Sequence, residues 1–192
     1  MTNSQTYTLD PPGVGLPRGE LYVARVLFAL RRWAGSRRSF GIRFEKERGR
    51  IRVLLQKCDA VSGAQRVLIS RIPGLEDSSR DWSVWMTLDH LCIVHDFLSH
   101  LIGQLVQEIT PLGDTRIADV KPRPSVGPEV VASFEASCDK LLSVIRSSPN
   151  LHTRARYAHP WFGPLNAAGW HALAGPHMGI HRAQIERIIA GR

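Results

Sequence analysis

WSVWMTLDHLCIVHDFLSHLIGQLVQEIT, residues 82–110, is the stretch on which the fold turns. Met86, His90, Val94, Phe97, Leu101 and Leu105 recur at steps of three or four residues, so a helix gathers them into one apolar stripe with a histidine inside it. The polar run at 75–81, LEDSSRD, supplies N-cap side chains just ahead of it, and Pro111 and Gly113 stop it. Strand-like alternation is almost absent here and elsewhere. The expected class is all-α.

Working outward, the Pro-rich connection KPRPSVGP (121–128) leads to a helix over 128–147, whose face is Val131, Phe134, Cys138, Leu141 and Ile145. Ser147-Ser148-Pro149-Asn150 ends it, and the irregular RYAHPWFGPLN (156–166) precedes a last helix over 167–190 that closes at Gly191. Upstream, 20–33 carries Val23, Leu27 and Leu30 at helical spacing. Gly35 and Ser36 then interrupt before a second helical stretch at 44–58, and the two pieces can form one broken element. No internal repeat is present. Four main helices predict a four-helix bundle with an additional basic helical segment near the N-terminus.

Length agrees with one domain, expected over 18–192, and 192 residues with 43% hydrophobic content can bury a core without staples. The polar, Pro/Gly-rich start, 1–17, reads as a flexible arm with no secretory character. Cys58, Cys92 and Cys138 are widely spaced and odd in number, which argues against a disulfide framework or a cysteine zinc module and fits a cytoplasmic setting. The most apolar early run, LYVARVLFAL, contains Arg25 and is far too short to span a bilayer, so no membrane partner is expected. The net charge of +8 is concentrated. Residues 18–57 hold 12 Lys+Arg against 3 Asp+Glu, and the rest of the chain is nearly neutral. A nucleic acid, an anionic surface or an acidic ligand would be attracted there. A solvated Arg-rich face is the plainer reading, because no aromatic ladder accompanies the charge.

Chemistry concentrates in histidines. His177 and His181 are four residues apart, about 6 Å along a helix and about 40° around it, close enough for both imidazoles to reach one ion. A third ligand must come from another element. His90 is the candidate, because it lies within the stripe of its helix, whereas His95 and His100 fall off it. Three neutral imidazoles would leave a coordination position open, as catalytic sites do. Gln184, on the same face as His177, can orient a ligand. The segment His177-Met178-Gly179-Ile180-His181 lacks the glutamate of the zincins. His152, His159 and His171 are expected at the surface or as caps, with His159 a candidate for the pocket mouth. Asp89 and Asp96 are expected in solvent, Cys92 as a buried inert thiol, and Trp82, Trp85, Trp161 and Trp170 as core or pocket wall. No Ser-His-Asp order, phosphate-binding loop or carboxylate pair emerges.

The segment HPWFGPLNAAGWHALAGPHMGIHRAQIERI (159–188) resembles the C-terminal signature of the DinB-like superfamily, and WSVWMTLDHL (82–91) resembles that superfamily's second helix. The resemblance covers roughly the second half of the chain. It implies a four-helix bundle holding a divalent metal, usually zinc or nickel, through one histidine of the second helix and two of the last, here His90, His177 and His181. It also implies a range of activities, including thiol-dependent S-transferases and isomerases that use a low-molecular-weight thiol, and members with no known reaction. The Arg-rich 18–57 is a departure from the simplest family picture. Three readings follow. The protein is a metal-dependent enzyme, a transferase or hydrolase, acting on a small-molecule substrate; or a non-catalytic metal-binding or structural bundle; or a nucleic-acid-associated module using Arg31, Arg32, Arg37 and Arg38. A homodimer is compatible with each of them.

Overall fold

The computed structural model describes residues 8–113 and 116–192. Six helices follow in order: α1 (Arg18–Ala34), α2 (Arg37–Leu55), α3 (Ala60–Ala64), α4 (Val84–Val106), α5 (Val130–Ser147) and α6 (Ala167–Ala190). Two small antiparallel ribbons join them: β1 (Val67–Leu68) pairs with β2 (Asp81–Trp82), and β3 (Tyr157–His159) pairs with β4 (Gly163–Leu165). The bundle is built from α2, α4, α5 and α6, with α4 against α5 and α6, and α2 against α6. No helix among the described residues is long and apolar enough to cross a membrane.

The expected broken first helix is two separate elements. Ser36 caps α2, accepting the Ser39 amide at 3.2 Å while the Ser39 hydroxyl accepts the Ser36 amide, so a new helix starts at Arg37, well before the expected residue 44. Gly35 is required at the turn, since a Cβ there would sit 2.2 Å from the Phe40 ring. α1 therefore stands outside the bundle. Val23, Leu27 and Leu30 are exposed, and Phe28 is the residue it buries.

α4 is buried more completely than one stripe predicts: Val84 through Cys92 are all buried, because α5, α6, α3 and a 3-10 turn at Ile117–Val120 surround its first half. It ends at Val106, short of residue 110, where Glu108 adopts a φ of 59° and its carboxylate accepts the amides of Arg154 and Ala155. The core runs along the bundle through Phe44, Leu88, Leu101, Phe134, Leu141 and Ile185.

Several arginines of 18–57 are engaged on the protein itself. Arg48 is buried and bridges Glu135 and Asp139 of α5, and Arg52 joins the same Glu135. Arg37 donates to the last carbonyls of α5, at Ile145, Arg146 and Ser148, where the helix leaves them unpaired. Glu47, buried on α2, accepts from Arg182 of α6 at 2.7 Å. Of the expected arm 1–17, residues 1–7 lie outside the described residues. Gly13 and Gly15 donate their amides to Glu76, Asp10 to Asp77, and Leu16 is buried, so 10–16 are fastened to the loop before α4.

Candidate metal centre

α4 and α6 pack side by side, and the site lies on their seam. Ser83 caps α4 by accepting the Met86 amide at 3.1 Å, which places His90 on the second turn. Asn166 caps α6 by accepting the Gly169 amide at 3.0 Å. Gly175 and Gly179 let α2 come close to α6 on either side of His177: a Cβ at Gly175 would already lie 3.2 Å from Arg43 and 3.3 Å from the backbone of Phe44. Pro176 withholds the amide that the Ala172 carbonyl would otherwise receive, just before the first histidine of the pair.

Across this seam three imidazoles meet. His90 Nε2 is 3.3 Å from His177 Nε2, and His181 Nε2 is 3.2 Å from the same atom. The other nitrogens of His90 and His181 are spoken for. His90 Nδ1 lies 2.6 Å from the Val120 carbonyl, which can only accept, so the proton is on Nδ1. His181 Nδ1 lies 2.7 Å from Gln184 Oε1, and the amide of Gln184 is held in that orientation by donating to the Ser79 carbonyl at 2.7 Å. Both rings thus turn an unprotonated Nε2 toward His177. His177 Nε2 can donate to one of them at most, so at least one lone pair is left without a donor in a buried place unless a cation stands among the rings. The separations of 3.3 and 3.2 Å from His177 Nε2 suit a tetrahedral ion with bonds near 2.0 to 2.1 Å.

The electrostatics favour the ligating form. Burial pushes the His90 imidazolium down to about 4, helped by the Lys121 charge and opposed by the Val120 carbonyl. Burial likewise holds His177 and His181 well below the ordinary value, with the neighbouring imidazoles adding to it. Rings in this state are neutral at pH 7 and ready to ligate. Trp82 walls the site, stacked 6.1 Å from His181 and tilted 5.2 Å from His90. Behind it Lys121 spans Ser78, Ser79 and Glu76, so the loop that fixes Gln184 is itself fixed. His177 is the half-buried member and marks the accessible side.

Among the described residues, this is the group of His, Cys, Asp and Glu side chains close enough to hold a metal ion, its donor atoms lying within 4.8 Å of one another. The three histidines singled out from the sequence converge. Gln184 does orient a ring, but that of His181 and not of His177. Other expectations need correcting. Asp89 is not in solvent: it is 3% exposed and accepts the Arg123 amide at 2.8 Å and its guanidinium at 2.6 Å. Asp96 is exposed and pairs with Lys140. His171 is no surface residue, being 1% exposed against the edge of Phe40. His159 is half-buried, accepts the Trp161 amide and packs among Phe162 and Trp170, while His152 is exposed as expected. Cys92 is buried, its thiol pushed up to about 11 by burial and so unreactive. Trp82, Trp85 and Trp170 are core, and Trp161 is half-buried. Sequence reasoning missed Val120, Ser79 and Lys121. The first two act through carbonyl groups, which carry no residue-type signal.

A four-helix bundle with imidazoles of its second and last helices facing one another is the class that fold and site define. More particularly, the chain belongs to the DinB superfamily, whose family model matches residues 43–185. It is similar in fold to the crystal structure of TT2238, a four-helix bundle protein, with a TM-score of 0.55 at 21% identity over 79% of this chain and 98% of that one. No curated protein matches the chain.

Proposed function

We propose that the protein binds one divalent metal ion, zinc or nickel, through Nε2 of His90, His177 and His181, and uses it in a thiol-dependent transfer reaction. The observation that carries the metal reading is the convergence of three Nε2 atoms, of which those of His90 and His181 are held deprotonated by the partners of their Nδ1 atoms. Imidazole donors suit zinc and nickel equally, and family membership supports the same choice. A divalent ion there supplies Lewis acidity and lowers the pKa of a thiol beside it, which makes a thiolate available at neutral pH.

The chain's own part is positional. Val120 and Gln184 set the ring orientations, and Trp82 covers the back of the site. His177 is the half-buried member, so a small thiol and an electrophile would approach from its side. The nucleic-acid reading rests on Arg31, Arg32, Arg37 and Arg38, of which Arg37 is engaged at the end of α5.

The test is metal content by mass spectrometry on protein purified without affinity histidines or chelator, followed by a screen of low-molecular-weight thiols against soft electrophiles. About one ion per chain and thiol-dependent turnover are expected. Metal without turnover for any pair would reduce the protein to a non-catalytic metal-binding bundle. No metal after reconstitution would remove the proposal altogether.

A further inference from the structure

α1 is apolar on its outside. At about 100° per residue, the large side chains Tyr22, Val23, Val26, Leu27, Leu30 and Trp33 share an arc about 140° wide in which only Gly and Ala intervene and no charge occurs. All six are exposed, from 42% for Val26 to 86% for Trp33. An amphipathic helix on a bundle normally turns this face inward. α1 cannot roll to do so, because its other face is fastened: Phe28 packs 4.6 Å from Phe162, Arg25 donates to the Trp161 carbonyl at 2.7 Å, and Glu20 accepts the Gly74 amide at 2.6 Å and pairs with Arg71. The helix also lies before residue 43, outside the family match.

We infer that this face is where two copies of the chain meet, α1 against α1. Three observations select that occupant. First, the area is sufficient. Taking ordinary side-chain areas, the six residues present roughly 700 Å² of apolar surface, above the patch size typical of a monomer. Two copies would bury about 1,400 Å², within the range of stable interfaces. Second, a patch free of charge and rich in Leu, Val, Trp and Tyr is complementary to itself, as a two-fold interface requires. Third, three of the four cations of α1 are held away from the face. Arg25 is tied to Trp161, Arg32 lies over the Phe28 ring, and Arg31 is half-buried, whereas a helix bound to an anionic lipid surface presents its basic side chains outward along the apolar edge. The metal seam lies on α4 and α6, so the contact is separate from the proposed site and stands or falls independently of it.

The test is sedimentation velocity over a dilution series down to the order of 1 µM, comparing the wild-type chain with Leu30→Glu and with Val53→Glu, a control on the exposed face of α2. A wild-type mass of twice 21.4 kDa is expected, together with a monomeric Leu30→Glu variant whose dissociation constant rises at least about 100-fold, and a Val53→Glu variant that stays dimeric. Leu30 is more than half exposed, so the variant should keep its helical circular dichroism; Val26→Lys gives a second break of the same face. A wild-type monomer throughout the series would overturn the inference, and so would a dimer that both face variants leave intact. Co-sedimentation of a monomeric wild type with phosphatidylglycerol vesicles would overturn it in favour of a lipid surface.

Discussion

His181 and His171 lie on the same helix, both are nearly inaccessible at 4% and 1%, and both have their imidazolium suppressed by burial. Their surroundings differ in kind. His181 has Gln184 behind it and two other imidazoles in front. His171 has neither: both ring nitrogens are buried without a hydrogen-bond partner, and its neighbour is the edge of Phe40. Burial and a displaced pKa therefore do not distinguish a site from a core residue in this molecule. What distinguishes it is a ring whose rear nitrogen is anchored while its front nitrogen faces other donors.

The sharpest way to break that contrast is to remove one ring of each kind. His181→Ala should reduce the metal retained after dialysis to background, while His171→Ala keeps it at the wild-type level, as read by mass spectrometry. Equal loss in both would mean that His171 matters to the site, and the contrast would fail. A smaller effect isolates the anchor. Gln184→Leu leaves all three ligands in place but removes the acceptor behind His181, so metal affinity measured by competition with a chromophoric chelator should fall about 10- to 100-fold.

The third prediction concerns acid. His171 titrates at about 4 in the folded protein because burial disfavours its charge, with Arg37 adding to this, against about 6.5 in the unfolded chain. Between those values the unfolded chain takes up a proton that the folded chain refuses, so the stabilisation is complete above about pH 6.5 and is lost as pH falls toward 4. His159, also at about 4, and His95, at about 3, have the same sign through the same burial. Metal-free protein should therefore lose stability steadily from pH 6.5 to 4 in urea titrations, by up to about 1.4 kcal/mol per pH unit for each such histidine. A flat profile would contradict the burial of these rings. The smallest effect is His171→Phe. It keeps a ring against Phe40 and removes two orphaned nitrogens, so it should stabilise the protein by about 1 kcal/mol at pH 7 and flatten part of that acid slope.

How much of this was legible in the sequence depends on whether a feature is written in side-chain spacing. His90, His177 and His181 follow from helical period alone, and so do the face of α5 and the Phe134–Ile145 core. Resemblance of 82–91 and 159–188 to a family pattern pointed the same way. The environment of α4 was not legible. A stripe of six residues predicts one buried side, but Arg123 covers Asp89 from the loop after α4, and Phe44 of α2 with Phe134 and Ser137 of α5 enclose His95. α1 misled for the opposite reason, because Val23, Leu27 and Leu30 have the spacing of a core face and yet point outward. Periodicity reports that a face will be covered. It does not report by what.

The loop after α4 touches that helix at two consecutive residues, since Val120 holds His90 and the Arg123 amide and guanidinium hold Asp89. Ordering a side chain ordinarily has an entropic cost that a ligand must meet when it binds. Here the His90 ring is immobilised when the chain folds, by a carbonyl whose own position is locked three residues on. The cost of arranging this ligand is therefore borne by folding, and an incoming ion would meet a ring that already has no other orientation to lose.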